Sequence, residues 1–134
     1  GVPSGRYRVM WSTLMAPSSM ARVAGRAGPE APIDLVQLAT NTLGNRELEV
    51  QVLHLFKSQS ISTLERLKQE TDNSVRLDLV HTLKGSARAI GAERVAIVCE
   101  NLEGKMRSST DTATEGLIAA VDEANRYIRD LLEG

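Results

Sequence analysis

The chain has 134 residues, with 16 Lys and Arg against 17 Asp and Glu and a net charge of −1. One domain is expected at this length, and an aromatic content of only 3% favours helix over strand. The near-neutral charge argues against a nucleic-acid binder, and the single cysteine, Cys99, excludes an intramolecular disulfide. No apolar run reaches the roughly 20 residues that a membrane span needs. We therefore expect a soluble, cytoplasmic, mostly helical protein.

The N-terminal segment differs in charge from the rest of the chain. Residues 1–29 contain four arginines and no acid, a charge of +4, which leaves −5 for residues 30–134. The segment is also rich in Gly, Pro, Ser and Ala without a sustained period. We interpret residues 1–31 as a flexible basic tail and residues 32–134 as the folded domain. The alternative is a targeting signal, since an Arg-rich, acid-free N-terminus can mimic a transit peptide.

From residue 32 onward the sequence predicts five helices in succession. The first is short, follows Pro32 and ends at Gly44. The second begins after Asn45, a suitable N-cap, and runs to about Glu70. Its predicted buried stripe is mostly apolar and comprises Leu48, Val52, Leu55, Phe56, Gln59, Thr63 and Leu67.

The remaining three helices are also bounded by residues that typically begin or end a helix. The third covers about 74–90 and ends at Gly91, the fourth covers about 93–107, and a capping box of Thr112 and Glu115 begins the fifth. The predicted buried residues of the last two are Val95, Val98, Cys99, Leu102, Met106, Leu117, Val121, Ala124, Ile128 and Leu131. Short connections force neighbouring helices to run in opposite directions. The predicted fold is therefore all-α, an antiparallel up-down four-helix bundle with a short extra N-terminal helix.

The third helix carries the residues of chemical interest. Its predicted buried stripe consists of Leu79, Val80, Leu83, Ala87 and Ile90. His81 falls roughly 160° around the helix from the centre of that stripe, so its imidazole is expected in solvent. Lys84, Gly85 and Arg88 lie on the same side, and a glycine inside a helix costs roughly 1 kcal/mol relative to alanine. This cost suggests that another molecule approaches the backbone beside His81, and the two cations favour an anion there.

A solvent-exposed histidine on a helix is by itself most often only a surface residue. His54 provides a comparison, because it is also placed opposite its helix's predicted stripe and has Lys57 three residues on, but Ser58 stands where a glycine would be needed. We interpret His54 as a structural or surface histidine. The combination around His81, rather than any one residue, indicates function.

The third helix resembles the histidine-containing phosphotransfer (Hpt) domains of multistep phosphorelays. The family pattern His-x-Leu-Lys-Gly-Ser, followed by an apolar-Gly-Ala, stands here as His81-Thr82-Leu83-Lys84-Gly85-Ser86 and Ile90-Gly91-Ala92. The resemblance continues in Val95, Cys99, Leu102 and Glu103, and in Leu55, Phe56, Leu64 and Leu67, and covers about residues 33–132.

The resemblance implies a bacterial-type phosphorelay protein in which His81 accepts a phosphoryl group, on Nε2, from a receiver-domain aspartyl phosphate and passes it to another receiver. Lys84 would stabilise the phosphoryl group, and Gly85 would give the receiver steric access. The partner would be bound by Leu77, an apolar residue that we expect to be exposed. Polar residues of the second helix would also contribute, together with Asp78, Ser86 and Arg88. The partners would be receiver domains of response regulators or hybrid histidine kinases, with Mg²⁺ on the receiver and no cofactor here. We expect a monomer that has no kinase activity and binds neither nucleic acid nor a membrane.

Three alternatives remain open at this point. One is the phosphoacceptor and dimerisation domain of a sensor histidine kinase, in which an acidic residue usually follows the histidine; Thr82 stands here. Another is a helical adaptor that is not phosphorylated. The third, metal binding, lacks a second ligand three or four residues from His81.

Overall fold

A computed structural model describes residues 31–108 and 113–133, and within these ranges it contains five helices and no strand. They are α1 (Leu35–Asn41), α2 (Arg46–Gln69), α3 (Asn73–Ala89), α4 (Glu93–Ser108) and α5 (Glu115–Glu133). The all-α prediction is confirmed, and the boundaries of α2, α3 and α4 agree with the predicted ones within one residue at each end. Nearly all of the predicted tail, and Thr112 of the predicted capping box, lie outside the described residues.

Side-chain caps explain why the first three helices begin where they do. The carboxylate of Asp34 accepts hydrogen bonds from the backbone N–H groups of Val36 and Gln37 at the start of α1. Asn45 caps α2 through the N–H of Leu48, as predicted. The carboxylate of Asp72 caps α3 by accepting hydrogen bonds from the N–H groups of Ser74 and Val75.

Gly91, at the end of α3, is hydrogen-bonded to Asp34, at the start of α1. Its φ of +79° is a left-handed conformation, which terminates α3 as predicted. Its carbonyl accepts a hydrogen bond from the N–H of Asp34 at 2.7 Å. A Cβ at this position would lie 2.5 Å from the carbonyl oxygen of Asp34, so the backbone approach also requires glycine.

The four long helices form a ring in which α2 packs against α3, α3 against α4, α4 against α5 and α5 back against α2. The interface of α3 with α4 is the most extensive, and α1 packs against α3. The predicted buried stripe of α3 is confirmed in full, as is that of α5. No helix in the described part of the chain is long and apolar enough to cross a bilayer.

The prediction of which face of α2 is buried is wrong. Leu48, Leu55 and Gln59 are exposed, whereas the buried positions are Glu49, Leu53, Phe56, Ser60 and Leu67. At about 100° per residue, the observed face is rotated by roughly 70° from the predicted one. The helix is mixed in polarity around its circumference, so its apolar residues alone do not define the side that contacts α3 and α5.

Candidate phosphotransfer site

His81 lies on α3 with its imidazole only partly in solvent. The side chain is 65% exposed, and its Nδ1 atom is 2.7 Å from Oε2 of Glu103 on α4. The prediction of an exposed imidazole is therefore confirmed for one edge of the ring. The other edge is fixed against the neighbouring helix.

The contact with Glu103 determines which ring nitrogen carries the proton. Glu103 is buried, with 1% of its side chain exposed. Burial raises the pKa of this carboxyl, but hydrogen bonds from Lys84 and His81 outweigh that effect, so the pKa is lowered from its ordinary value of 4.5. An ionised carboxylate can only accept hydrogen bonds, so Nδ1 of His81 must donate. A neutral imidazole then has its lone pair on Nε2.

Lys84 completes the network beneath His81. Its ammonium group is 2.6 Å from Oε1 of Glu103, and its side chain is only 14% exposed. Lys84 lies on the same side of α3 as His81, as predicted, but its side chain is less exposed than expected because the ammonium group contacts the buried carboxylate on α4. One carboxylate thus holds the imidazole and the ammonium group side by side, through different oxygens. The ammonium group has two further N–H donors.

Gly85 opens the surface one turn beyond His81. It lies in the interior of α3, and a Cβ built on it would find no atom within 4 Å outside the local helix backbone. Close packing within the bundle therefore does not account for this glycine. The open space agrees with the prediction that another molecule approaches here.

The four residues predicted to surround the site have different environments. Asp78 is exposed and Ser86 is half-buried. Arg88 is exposed and lies 3.5 Å from Glu100 of α4, so it has an acidic neighbour of its own. Leu77 was predicted to be exposed, and this is wrong. It is half-buried and packs against the core, because it lies near the edge of the apolar stripe of α3.

Cys99 lies one turn before Glu103 on the buried side of α4. The thiol is free and buried. Burial and, to a smaller extent, the negative charge of Glu103 raise the pKa of Cys99 to about 12. A thiol in this state is an inert part of the core rather than a nucleophile.

Comparison with known proteins agrees with this geometry. The sequence matches the model of the Hpt domain over residues 51–133, which is more than half of the chain. The chain belongs to the Hpt domain family. Histidine phosphotransfer is therefore its general function.

A solved structure shows the same fold. This Hpt domain is similar to a rice protein whose X-ray structure is described as that of a histidine-containing phosphotransfer protein. The TM-score is 0.64 at 17% sequence identity, over 87% of this chain and 85% of the other. A search of curated proteins found no match.

Glu103 belongs to the site, although the sequence predicts no role for it beyond the resemblance to Hpt domains. A usable signal is nevertheless present in the sequence. Glu103 follows Cys99 by four residues and adjoins Leu102, so it lies on the buried stripe of α4. A carboxylate on a buried stripe requires a cation or donor from a neighbouring helix, and Lys84 and His81 are such groups.

Proposed function

We propose that this Hpt domain relays a phosphoryl group between receiver-domain aspartates and Nε2 of His81. The observation that carries the proposal is the 2.7 Å contact between Nδ1 of His81 and the carboxylate of Glu103. Because Nδ1 donates a hydrogen bond, the lone pair of the neutral ring is on Nε2. The His81 side chain that carries this atom is 65% exposed. That atom can reach a phosphoryl group buried in the active site of a partner.

The transfer step needs little covalent chemistry from this chain. Nε2 of the neutral imidazole attacks phosphorus, the bond from phosphorus to the aspartyl oxygen breaks, and the aspartate leaves as a carboxylate. The ring gains positive charge during the attack, and Glu103 stabilises that charge through Nδ1–H. Transfer to a second receiver is the reverse of this step, with the receiving aspartate as nucleophile.

Lys84 is positioned to bind an oxygen of the phosphoryl group. Its ammonium is held by Glu103 beside the imidazole and has two further N–H donors. Both oxygens of Glu103 are engaged by His81 and Lys84, which supports the assignment of Mg²⁺ to the receiver rather than to this site. Gly85 leaves open surface into which the receiver can close.

The docking surface includes α2 as well as α3. Lys57, Ile61 and Leu64 line the side of α2 that meets α5. Leu55 and Gln59 lie on the opposite flank of α2, which the ring places beside α3, and Leu55 is 54% exposed. We assign to Leu55 the apolar docking role that the sequence suggested for Leu77, and we keep Asp78, Ser86 and Arg88 at the periphery.

The closed ring supports a monomer rather than a dimerisation domain. The contact of α5 with α2 completes the four-helix bundle within one chain, so no helix of a second chain is needed to cover the core. Sedimentation equilibrium should give the mass of a single chain. A stable dimer would favour the sensor-kinase alternative.

The chain's two histidines provide a matched test of the proposal. A panel of receiver domains carrying ³²P on aspartate is mixed with the wild-type protein, His81→Gln or His54→Gln, and label on this chain is measured after short times. His54 is exposed on α2, so His54→Gln should accept label like the wild type. His81→Gln should accept none while retaining its helical circular dichroism spectrum. The label should be acid-labile and base-stable, as a phosphoramidate is; full labelling of His81→Gln would disprove the assignment.

A further inference from the structure

A groove of about 230 Å³ lies between α2 and α5. Its apolar lining consists of Ile61, Leu64, Ile118 and Val121, and its polar lining of Lys57, Asp122, Asn125, Arg126 and Arg129. In the ring of helices, the α2–α5 edge lies opposite the α3–α4 edge, which carries His81 and Glu103. The groove is therefore separate from the phosphotransfer site.

The groove has a basic end and an apolar end. The amide of Asn125 donates a hydrogen bond to the hydroxyl of Ser60 at 3.1 Å, and this bond sets the register between the two antiparallel helices. Lys57 precedes Ser60 by three residues and Arg129 follows Asn125 by four, so both cations lie at the same end, about 5–6 Å from the bond along the helices. Leu64 and Val121 lie about 6 Å from it in the other direction.

The groove is lined by three cations, Lys57, Arg126 and Arg129. None of the three forms a salt bridge with another residue in the described part of the chain. Asp122 is the single acid that lines the groove, so the lining has two more positive than negative charges. This surplus is found on a domain whose residues 30–134 carry −5. The buried Oδ1 of Asn125 also has no hydrogen-bond partner.

We propose that the α2–α5 groove binds an acidic segment of a partner protein. One apolar side chain of the segment would insert beside Ile61, which is exposed, and carboxylates of the segment would pair with Lys57, Arg126 and Arg129. The volume suits one or two side chains rather than a drug-sized ligand. The chain's own residues 1–29 are unsuitable occupants, because their four arginines would be repelled by the rim.

This binding leaves the phosphotransfer face free. A partner seated on α2 and α5 does not cover His81, so a receiver could dock at the same time. The groove contains none of the residues assigned to phosphotransfer, so binding there does not depend on the proposed function.

The test uses a defined probe, a fluorescein-labelled 16-residue helical peptide of Leu, Glu and Ala with leucines on one face and glutamates flanking them. A second peptide has Lys in place of every Glu. Binding to the full chain is measured by fluorescence anisotropy at low salt, and the contacted residues are identified from ¹H–¹⁵N chemical-shift changes. The acidic peptide should shift resonances of α2 and α5 at the groove, and the basic peptide should not bind.

Charge reversal in the groove provides the matched comparison. The double variant Arg126→Glu/Arg129→Glu should weaken binding about tenfold or more, because it replaces attraction by repulsion at the rim. The double variant Arg66→Glu/Lys68→Glu changes the same number of charges at exposed positions of α2 outside the groove and should have a much smaller effect. Ile61→Asp should abolish binding, and His81→Gln should leave it unchanged.

Four outcomes would overturn the inference. They are no binding of the acidic peptide at millimolar concentration, chemical-shift changes centred on α3, equal binding of the basic peptide, or equal loss in both double variants. Binding of the chain to vesicles of anionic lipid, with no binding of the peptide, would also refute a protein partner. None of these results bears on transfer to His81, which is measured separately.

Discussion

Replacing Glu103 by Gln removes one negative charge while keeping nearly the same shape. In a fully buried pair, removal of one partner costs about 3–5 kcal/mol. Here the cost is smaller, because Lys84 is 14% and His81 65% exposed and both can turn toward water. We expect a loss of about 1–3 kcal/mol in the free energy of unfolding. For a domain of about 100 residues this lowers the Tm by roughly 5–15 °C.

The same substitution should slow phosphoryl transfer from a receiver to His81. The carboxylate stabilises positive charge that develops on the imidazole of His81, and a hydrogen bond to a charged group is worth about 1.5–3 kcal/mol. Since about 1.4 kcal/mol corresponds to a tenfold change in rate, transfer should be about ten- to a hundredfold slower. In addition, the amide of Glu103→Gln can donate to Nδ1, which would place the proton of the neutral ring on Nε2 and block the nucleophile.

Rapid-quench measurements of transfer from a phosphorylated receiver, made at a temperature where the variant is fully folded, give the rate constant. ¹⁵N spectra of the histidine side chains give the tautomer of His81. Glu100→Gln is the matched control, because Glu100 is an exposed acid on the same helix with a 3.5 Å contact to Arg88. It should transfer like the wild type. Wild-type transfer by Glu103→Gln, with the proton of His81 still on Nδ1, would refute the reasoning.

Three further predictions concern Gly85, Glu103 and Gly91. Gly85→Ala should raise the free energy of unfolding by about 0.5–1 kcal/mol, because its Cβ has no clash. Gly85→Gln should fold but transfer the phosphoryl group at least about tenfold more slowly. If the slower transfer were accounted for by unfolding of the variant, the role of Gly85 in steric access would be contradicted. The lowered pKa of Glu103 stabilises the fold fully above pH 4.5, and this contribution is lost as the pH falls through the lower native pKa. Urea titrations at several pH values should show this loss in the wild type and not in Glu103→Gln. Gly91→Ala should destabilise by more than about 1 kcal/mol, owing to its φ of +79° and the 2.5 Å approach to Asp34; an unchanged Tm would contradict this.

Most of the fold could be predicted because turns and apolar spacing agree along the chain. Gly91 ends α3, Asn45 caps α2, and α5 has a continuous apolar stripe. The buried face of α2 could not be predicted, since it is decided by contacts with two neighbouring helices. Ser60, for example, is buried, and its hydroxyl accepts a hydrogen bond from the amide of Asn125 on α5.

The location of the candidate site could be predicted from the sequence, but the contacts that orient its side chains could not. His81 and Gly85 lie where helical spacing and the resemblance place them. The position of the Lys84 ammonium depends on Glu103, which is 19 residues away in sequence and belongs to another helix. Helical periodicity relates residues within one helix, so it cannot reveal that a single carboxylate on α4 holds both side chains.

The reactivity of Cys99, the only cysteine of the chain, can be used to measure how often the bundle opens. Thiol reagents attack the thiolate, which burial and a pKa of about 12 suppress at Cys99 while the helices are packed. Each labelling event therefore requires α4 to separate from the core, and under fast reclosing the labelling rate measures the population of open molecules. Cys99 is one turn from Glu103, so comparing this rate before and after phosphorylation of His81 would show whether the modification tightens or loosens the α3–α4 interface, without any probe engineered into the protein.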